Sequence, residues 1–166
     1  MTAQEVIERL GLVPHPREGG FFRETYRSEA SHRPGSPFEG DRSVGTAIYY
    51  LLTPTTWSAM HRLPGDEVFH FYLGDPVEML ELHPDGRGRI TVLGPGLDGM
   101  TPQHVVRGGT WQGSRLRTGG AWALLGTTMA PGFSYDDYEE GDSGLLSRYP
   151  EFTELTRALL PPAEAP

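Results

Sequence analysis

The 166 residues leave room for one domain and little for a second, and a net charge of −8 repels nucleic acid and anionic membrane, so neither is an expected partner. The chain has no Cys, and all 14 of its basic residues are Arg; this excludes disulfides, thiolate nucleophiles, Cys-held metals and Schiff-base lysine chemistry. Gly (22) and Pro (15) punctuate apolar runs instead of forming tracts, which is how an all-β domain with many turns reads.

In chain order, residues 3–11 predict a short amphipathic helix with Val6, Ile7 and Leu10 on one face, Thr2 as N-cap and Gly11 as C-cap. The same N-terminus has no basic stretch followed by an apolar one, and no run approaches the ~18 apolar residues of a membrane span, so a cytoplasmic protein is expected. GFFRETYRS (20–28) predicts a strand with Phe21, Arg23 and Thr25 on one face and Phe22, Glu24 and Tyr26 on the other. Residues 29–43, rich in Ser, Pro, Gly and charge, predict a flexible loop.

Short apolar runs then follow at 45–53, 57–63, 67–73, 76–83, 89–93, 103–106, 111–115 and 121–130, most of them separated by Pro and Gly turn signals. So many short strands with no helix between them predict a sandwich or closed barrel. Residues 145–160 read as helical with an interruption at Pro150, and 161–166 as a frayed tail. No internal repeat is present, and residues 1–166 are expected to form one domain.

Chemistry concentrates in HRLPGDEVFHFYLG (61–74). His61 ends one strand, Pro64-Gly65 turn the chain and Glu67 opens the next, so a tight hairpin brings both side chains to one face near its mouth. Phe69 and Phe71 share the parity of Glu67 and predict an aromatic lining further in. A His and a Glu at such a rim form a candidate acid/base or metal pair.

These residues resemble the cupin superfamily, whose first motif is G-x5-H-x-H-x(3,4)-E-x6-G. His61 stands at the first His, Glu67 at the Glu and Gly74 at the closing Gly, while Leu63 occupies the second His position. The second motif, G-x5-P-x-G-x2-H-x3-N, aligns with Arg107 at the Pro, Gly109 at the Gly and Gln112 at the His. More narrowly, HPREGGFFRETYRS, HRLPGDEVFHFYLGDPVEML, QHVVRGGTWQG and APGFSYDDYEE look like the DUF985 (Cupin_5) group, over about residues 5 to 155, with Arg17 inserted in what is usually HPEGG. The resemblance implies an all-β jelly-roll barrel of two packed antiparallel sheets with short terminal helices, commonly a homodimer. Strand 20–28 is a candidate for adding to a neighbouring barrel.

Cupin metals are usually held by three His and one Glu. With Leu63 and Gln112 at two of those positions, His61, Glu67 and Gln112 remain as a weak ligand set, so no cofactor is expected to be required. His70 and His104 are further donors, although His70 has the parity opposite to Glu67. Cupin sugar epimerases use a His base and a Tyr acid without metal. By that resemblance His61 is the base, Glu67 its partner, and Tyr26, Tyr49 or Tyr138 the acid.

One of Arg23 and Glu24 must face inward, where it would contact a ligand together with Phe69, Phe71 and Gln112. His15, His32 and His83 are expected in solvent, and Asp136, Asp137, Glu139 and Glu140 in a solvated loop. Three functions follow as expectations. The first is a small-molecule enzyme of epimerase or isomerase type acting on a sugar or other polar metabolite. The second is a metal-dependent dioxygenase or isomerase with a weakly held divalent transition metal. The third is a non-catalytic, storage-like binding module.

Overall fold

A computed structural model describes residues 1–162. Helix α1 (Ala3–Leu10) starts at a capping box in which Thr2 and Glu5 satisfy each other's backbone N–H, and it ends at Gly11 in the left-handed region. The strands are β1 (Val13–Pro14), β2 (Phe21–Arg27), β3 (Ser31–His32), β4 (Arg42–Ser43), β5 (Thr46–Leu52), β6 (Trp57–Arg62), β7 (Glu67–Gly74), β8 (Val77–Leu82), β9 (Gly88–Leu93), β10 (Gln103–Val106), β11 (Trp111–Leu116), β12 (Ala123–Met129) and β13 (Glu139–Glu140). Helices α2 (Gly144–Arg148) and α3 (Thr153–Leu159) follow, separated at Pro150, which begins a 3-10 turn. Residues 163–166, within the expected tail, lie outside the described residues.

Two antiparallel sheets face each other, one ordered β1-β2-β5-β12-β7-β10 and the other β13-β6-β11-β8-β9. Neighbours in space that are distant in sequence are the mark of a jelly roll. Strand parity sorts the side chains into layers. Tyr50, Leu52, Phe69, Val77, Met79, Leu93, Leu116 and Leu125 fill the space between the sheets. Leu51 and Leu124, on the outer face of the first sheet, pack under α1 with Val6 and Leu12. Met60, Leu80, Leu82 and Trp111, on the outer face of the second, pack under α2 and α3 with Leu145, Tyr149 and Leu159. Each sheet is thus apolar on both faces over part of its width, and each helix covers the second one.

The segment between β1 and β2 closes one side of the barrel. Glu18 O accepts the Ala59 N–H of β6, and Gly19 O accepts the Tyr50 hydroxyl of β5. This close approach needs glycine: Gly19 (φ 93°) and Gly20 (φ 68°) are left-handed, and a Cβ on Gly19 would strike the Trp57 carbonyl.

Residues 29–43 are not a free loop. Strands β3 and β4 pair within the segment, and Arg42 is buried in an ion pair with Asp137 of the acidic run. Nor is the rest of that run simply solvated: Glu139 grips Arg62 through both carboxylate oxygens as β13 joins β6. Strand β2 pairs with β5 of its own barrel; β1 takes the other edge only at Phe21 and Phe22.

Candidate functional site

At one end of the space between the sheets lies a cavity of about 300 Å³, at the lower limit for small-molecule sites. Its walls come from the β1–β2 segment (His15, Glu18), from β2 (Phe22, Glu24, Arg27), from β7 and β12 (Glu67, Thr127), and from Phe133 and Tyr135 at the mouth. A larger groove of about 710 Å³ runs outside, beside Arg42 and Arg62. Both guanidiniums there are already spent on Asp137 and Glu139, so the enclosed cavity is the one that carries chemistry.

His61 sits on β6 directly opposite Gln112 on β11, and Gln112 is opposite Glu81 on β8, so these three form a row on the inner face of the second sheet. Glu67 reaches this row from the facing sheet: Gln112 Nε2 donates to Glu67 Oε2 at 2.8 Å. The Pro64-Gly65 link is not the expected hairpin turn, since β6 and β7 lie in facing sheets, but it crosses between the sheets and so leaves His61 and Glu67 facing one polar region. His61 is 1% exposed and stacks on Tyr138, with ring centroids 5.1 Å apart and planes 12° apart.

The His61 imidazole has its tautomer assigned by its partner. Nδ1 lies 2.7 Å from the Ala59 carbonyl oxygen, which only accepts, so Nδ1 carries the proton and donates. In a neutral ring of this tautomer Nε2 holds a lone pair, and among the described residues nothing bonds to it. This is the form a general base needs.

His15 is the reverse case. Its Nδ1 accepts the backbone N–H groups of Glu18 (2.8 Å) and Arg17 (3.3 Å), which places the proton on Nε2. Burial lowers its pKa, a nearby His61 adds to that, and Glu18 partly opposes it, so the ring stays a neutral N–H donor. Its Nε2 lies 3.9 Å from Glu18 Oε2, while Glu18 Oε1 accepts the Ser58 hydroxyl. One imidazole thus presents a lone pair and the other an N–H.

Burial pushes the Glu67 carboxyl above its ordinary pKa and the Glu18 carboxylate raises it further, while His61, Thr127 and Gln112 pull the other way. Burial, aided by Glu18, also raises the Tyr138 phenol, which keeps its proton; its oxygen is buried with no partner among the described residues.

The other expected site residues divide by strand parity. Arg23 and Tyr49 are paired across β2 and β5 and lie on the outer face, where the guanidinium stands over the Tyr49 ring; neither reaches the cavity. Tyr26 is likewise turned outward and is 58% exposed. Glu24 faces in, and a register shift after it turns Arg27 in as well, so that the two form a two-pronged ion pair on the cavity wall. Phe69 and Phe71 belong to the packed core beneath the cavity, not to its wall.

His70 faces out, stacked on Tyr72. His104 is committed to Glu81 at 2.6 Å; burial alone would raise the Glu81 carboxyl, but hydrogen bonds from His104 and Arg89 outweigh it and hold it low. His15, expected in solvent, has a side chain only 4% exposed. His15, Glu18 and Arg27 are the residues that sequence reasoning missed. The signal that pointed to the first two was the Gly-Gly step that locks their segment against β5 and β6.

The donor set does not fit the usual cupin metal cage. Leu63 packs against Met129 and Tyr138 at one ligand position, and at another the Gln112 amide nitrogen is turned onto Glu67. Among the described residues no three His, Asp or Glu side chains converge on a metal position.

Known proteins share this architecture. A crystallised Shewanella oneidensis protein is 34% identical with a TM-score of 0.86, covering 98% of this chain and 99% of its own. A Leishmania major protein is 31% identical with a TM-score of 0.86, covering 96% and 99%. The Saccharomyces cerevisiae protein YML079W is 29% identical over 149 residues, 82% of this chain and 74% of the yeast protein. The Cupin_5 family, described as cupin superfamily (DUF985), matches residues 4–140, and the chain belongs to it.

Proposed function

We propose that this chain binds a small polar metabolite in the cavity, reaching past Glu67 to the buried His61, and moves a proton on it, as an epimerase or isomerase does, with His61 as the base. The observation that carries this reading is the Nδ1–Ala59 bond, which leaves the Nε2 lone pair free in a nearly dry site. In such a step a substrate C–H bond breaks and its proton passes to Nε2. The electron pair moves onto the adjacent carbonyl oxygen, where the His15 Nε2–H is a donor for the developing charge. Of the three tyrosines considered as acid, Tyr138 alone lies against His61, and its protonated phenol returns a proton to carbon.

The test is wash-in of solvent deuterium. Candidate sugars and other hydroxy-carbonyl metabolites are incubated with the protein in D2O and read by mass spectrometry. His61→Ala is expected to cut exchange by roughly 10²–10⁴-fold while the circular dichroism spectrum stays native. Exchange at the unmodified rate in that variant would contradict the assignment.

A further inference from the structure

Resting on the reading of the cavity as a small-molecule site, we propose that its ligand carries a protonated amine, and that the cavity selects against anions.

Three carboxylates line the cavity wall, from Glu18, Glu24 and Glu67, against one guanidinium among the described residues, Arg27. That guanidinium is consumed: Nε and Nη2 hold Glu24 at 2.9 and 2.7 Å, and Nη1 and Nη2 reach the Phe133 carbonyl at 3.2 Å. No cation of the described wall is left for Glu18 or Glu67. His15 does not supply one, since both backbone N–H groups on its Nδ1 demand the neutral ring.

Each of the two remaining carboxylates meets only neutral donors among the described residues: Glu18 Oε1 accepts Ser58 and Glu67 Oε2 accepts Gln112, with the Tyr50 hydroxyl near Glu18 and the Thr127 hydroxyl near Glu67. Two carboxylates that share a largely enclosed cavity with no cation of their own repel each other. The raised carboxyl of Glu67 is a partial answer to that repulsion. An ammonium is a better answer, with three donors, no acceptor and a charge opposite to both.

The mouth favours the same species. Phe22, His15, Tyr135 and Phe133 form a chain of aromatic contacts there, with centroids 4.6, 6.0 and 4.9 Å apart in that order. Ring faces attract cations and repel anions. A carboxylate or phosphate would meet two carboxylates with no free guanidinium to receive it.

The test uses matched probes, so that the scaffold is constant and the charge varies. Glucosamine, glucose and glucuronate form one series; cyclohexylmethylamine, cyclohexylmethanol and cyclohexanecarboxylate form another. Dissociation constants are measured for each by ligand-observed NMR at neutral pH. The amine of at least one series is expected to bind about tenfold or more tighter than its carboxylate. In Glu18→Gln, which keeps an acceptor for Ser58, that preference should shrink by several-fold.

A carboxylate that binds as tightly as its amine, or no amine binding in either series, overturns the proposal. Alcohols that bind in the cavity while amines gain nothing would overturn the charge selection and leave the small-molecule site standing. The two readings therefore fail separately.

Discussion

Asp137→Ala is expected to destabilise the fold by about 3 kcal/mol, read as a lower midpoint in urea with unchanged slope. Asp137 receives Arg42 Nε at 2.8 Å together with Nη2, and the two side chains are 10% and 6% exposed. Nη1 of the same guanidinium donates to the Glu39 and Asp41 carbonyls, so Arg42 cannot swing into water without breaking its own turn. Removing the carboxylate strands a nearly buried charge, which costs far more than the loss of a surface ion pair. Arg33 and Asp41, 74% and 65% exposed in the same segment, are the control: Asp41→Ala should change stability by less than about 0.5 kcal/mol. Equal effects for the two variants would mean that residues 29–43 do not dock as described.

Glu67→Gln is expected to cut proton exchange on substrate by roughly 10²-fold or more and, at the same time, to make the protein more stable above the ordinary carboxyl range. The folded state holds the Glu67 proton more tightly than the unfolded chain does, because burial and Glu18 penalise the charged form. A carboxyl shifted in that direction contributes stability that is fully present below its ordinary value, near 4.5, and is lost as the pH rises through the raised folded value. The amide has no charge to bury and still accepts from Gln112. The variant should therefore match the unmodified protein near pH 4 and gain on it as the pH rises above about 4.5 in thermal unfolding. A deficit that is constant across that range would show that Glu67 is well solvated or paired when folded.

Much of the fold was legible because strands and turns write themselves locally. The helix at residues 3–11, the strands from 45 onward and the break at Pro150 all follow from period, caps and Pro-Gly punctuation. The neighbourhood of His61 and Glu67 follows from the short Pro64-Gly65 link, but not through a hairpin: β6 and β7 belong to facing sheets, and Gln112 on β11 stands opposite His61 and bonds Glu67.

What parity could not show was which face is inside when both are apolar. Tyr49 and Tyr50 are adjacent, and the outer face of β5 is covered by α1, so either tyrosine fits an inward position on pattern alone. On β2 a register shift between Glu24 and Tyr26 breaks the alternation, which is why Glu24 and Arg27, three apart, both face the cavity. Arg42 and Asp137 lie 95 residues apart, and neither belongs to a periodic run. His15 was hidden for a related reason: a histidine between two prolines reads as loop, and only the packing of Gly19 and Gly20 against the barrel buries it.

His61 and His15 carry their protons on opposite nitrogens, Nδ1 in the first and Nε2 in the second, with His15 on the cavity wall and His61 in the polar row that meets that wall at Glu67. Long-range proton–nitrogen NMR of the imidazole rings at neutral pH, assigned with His15→Gln and His61→Gln, reads both directly. The expected spectrum has His61 protonated at Nδ1 and His15 protonated at Nε2 alone. His61 protonated at Nε2, or His15 present as imidazolium, would contradict it.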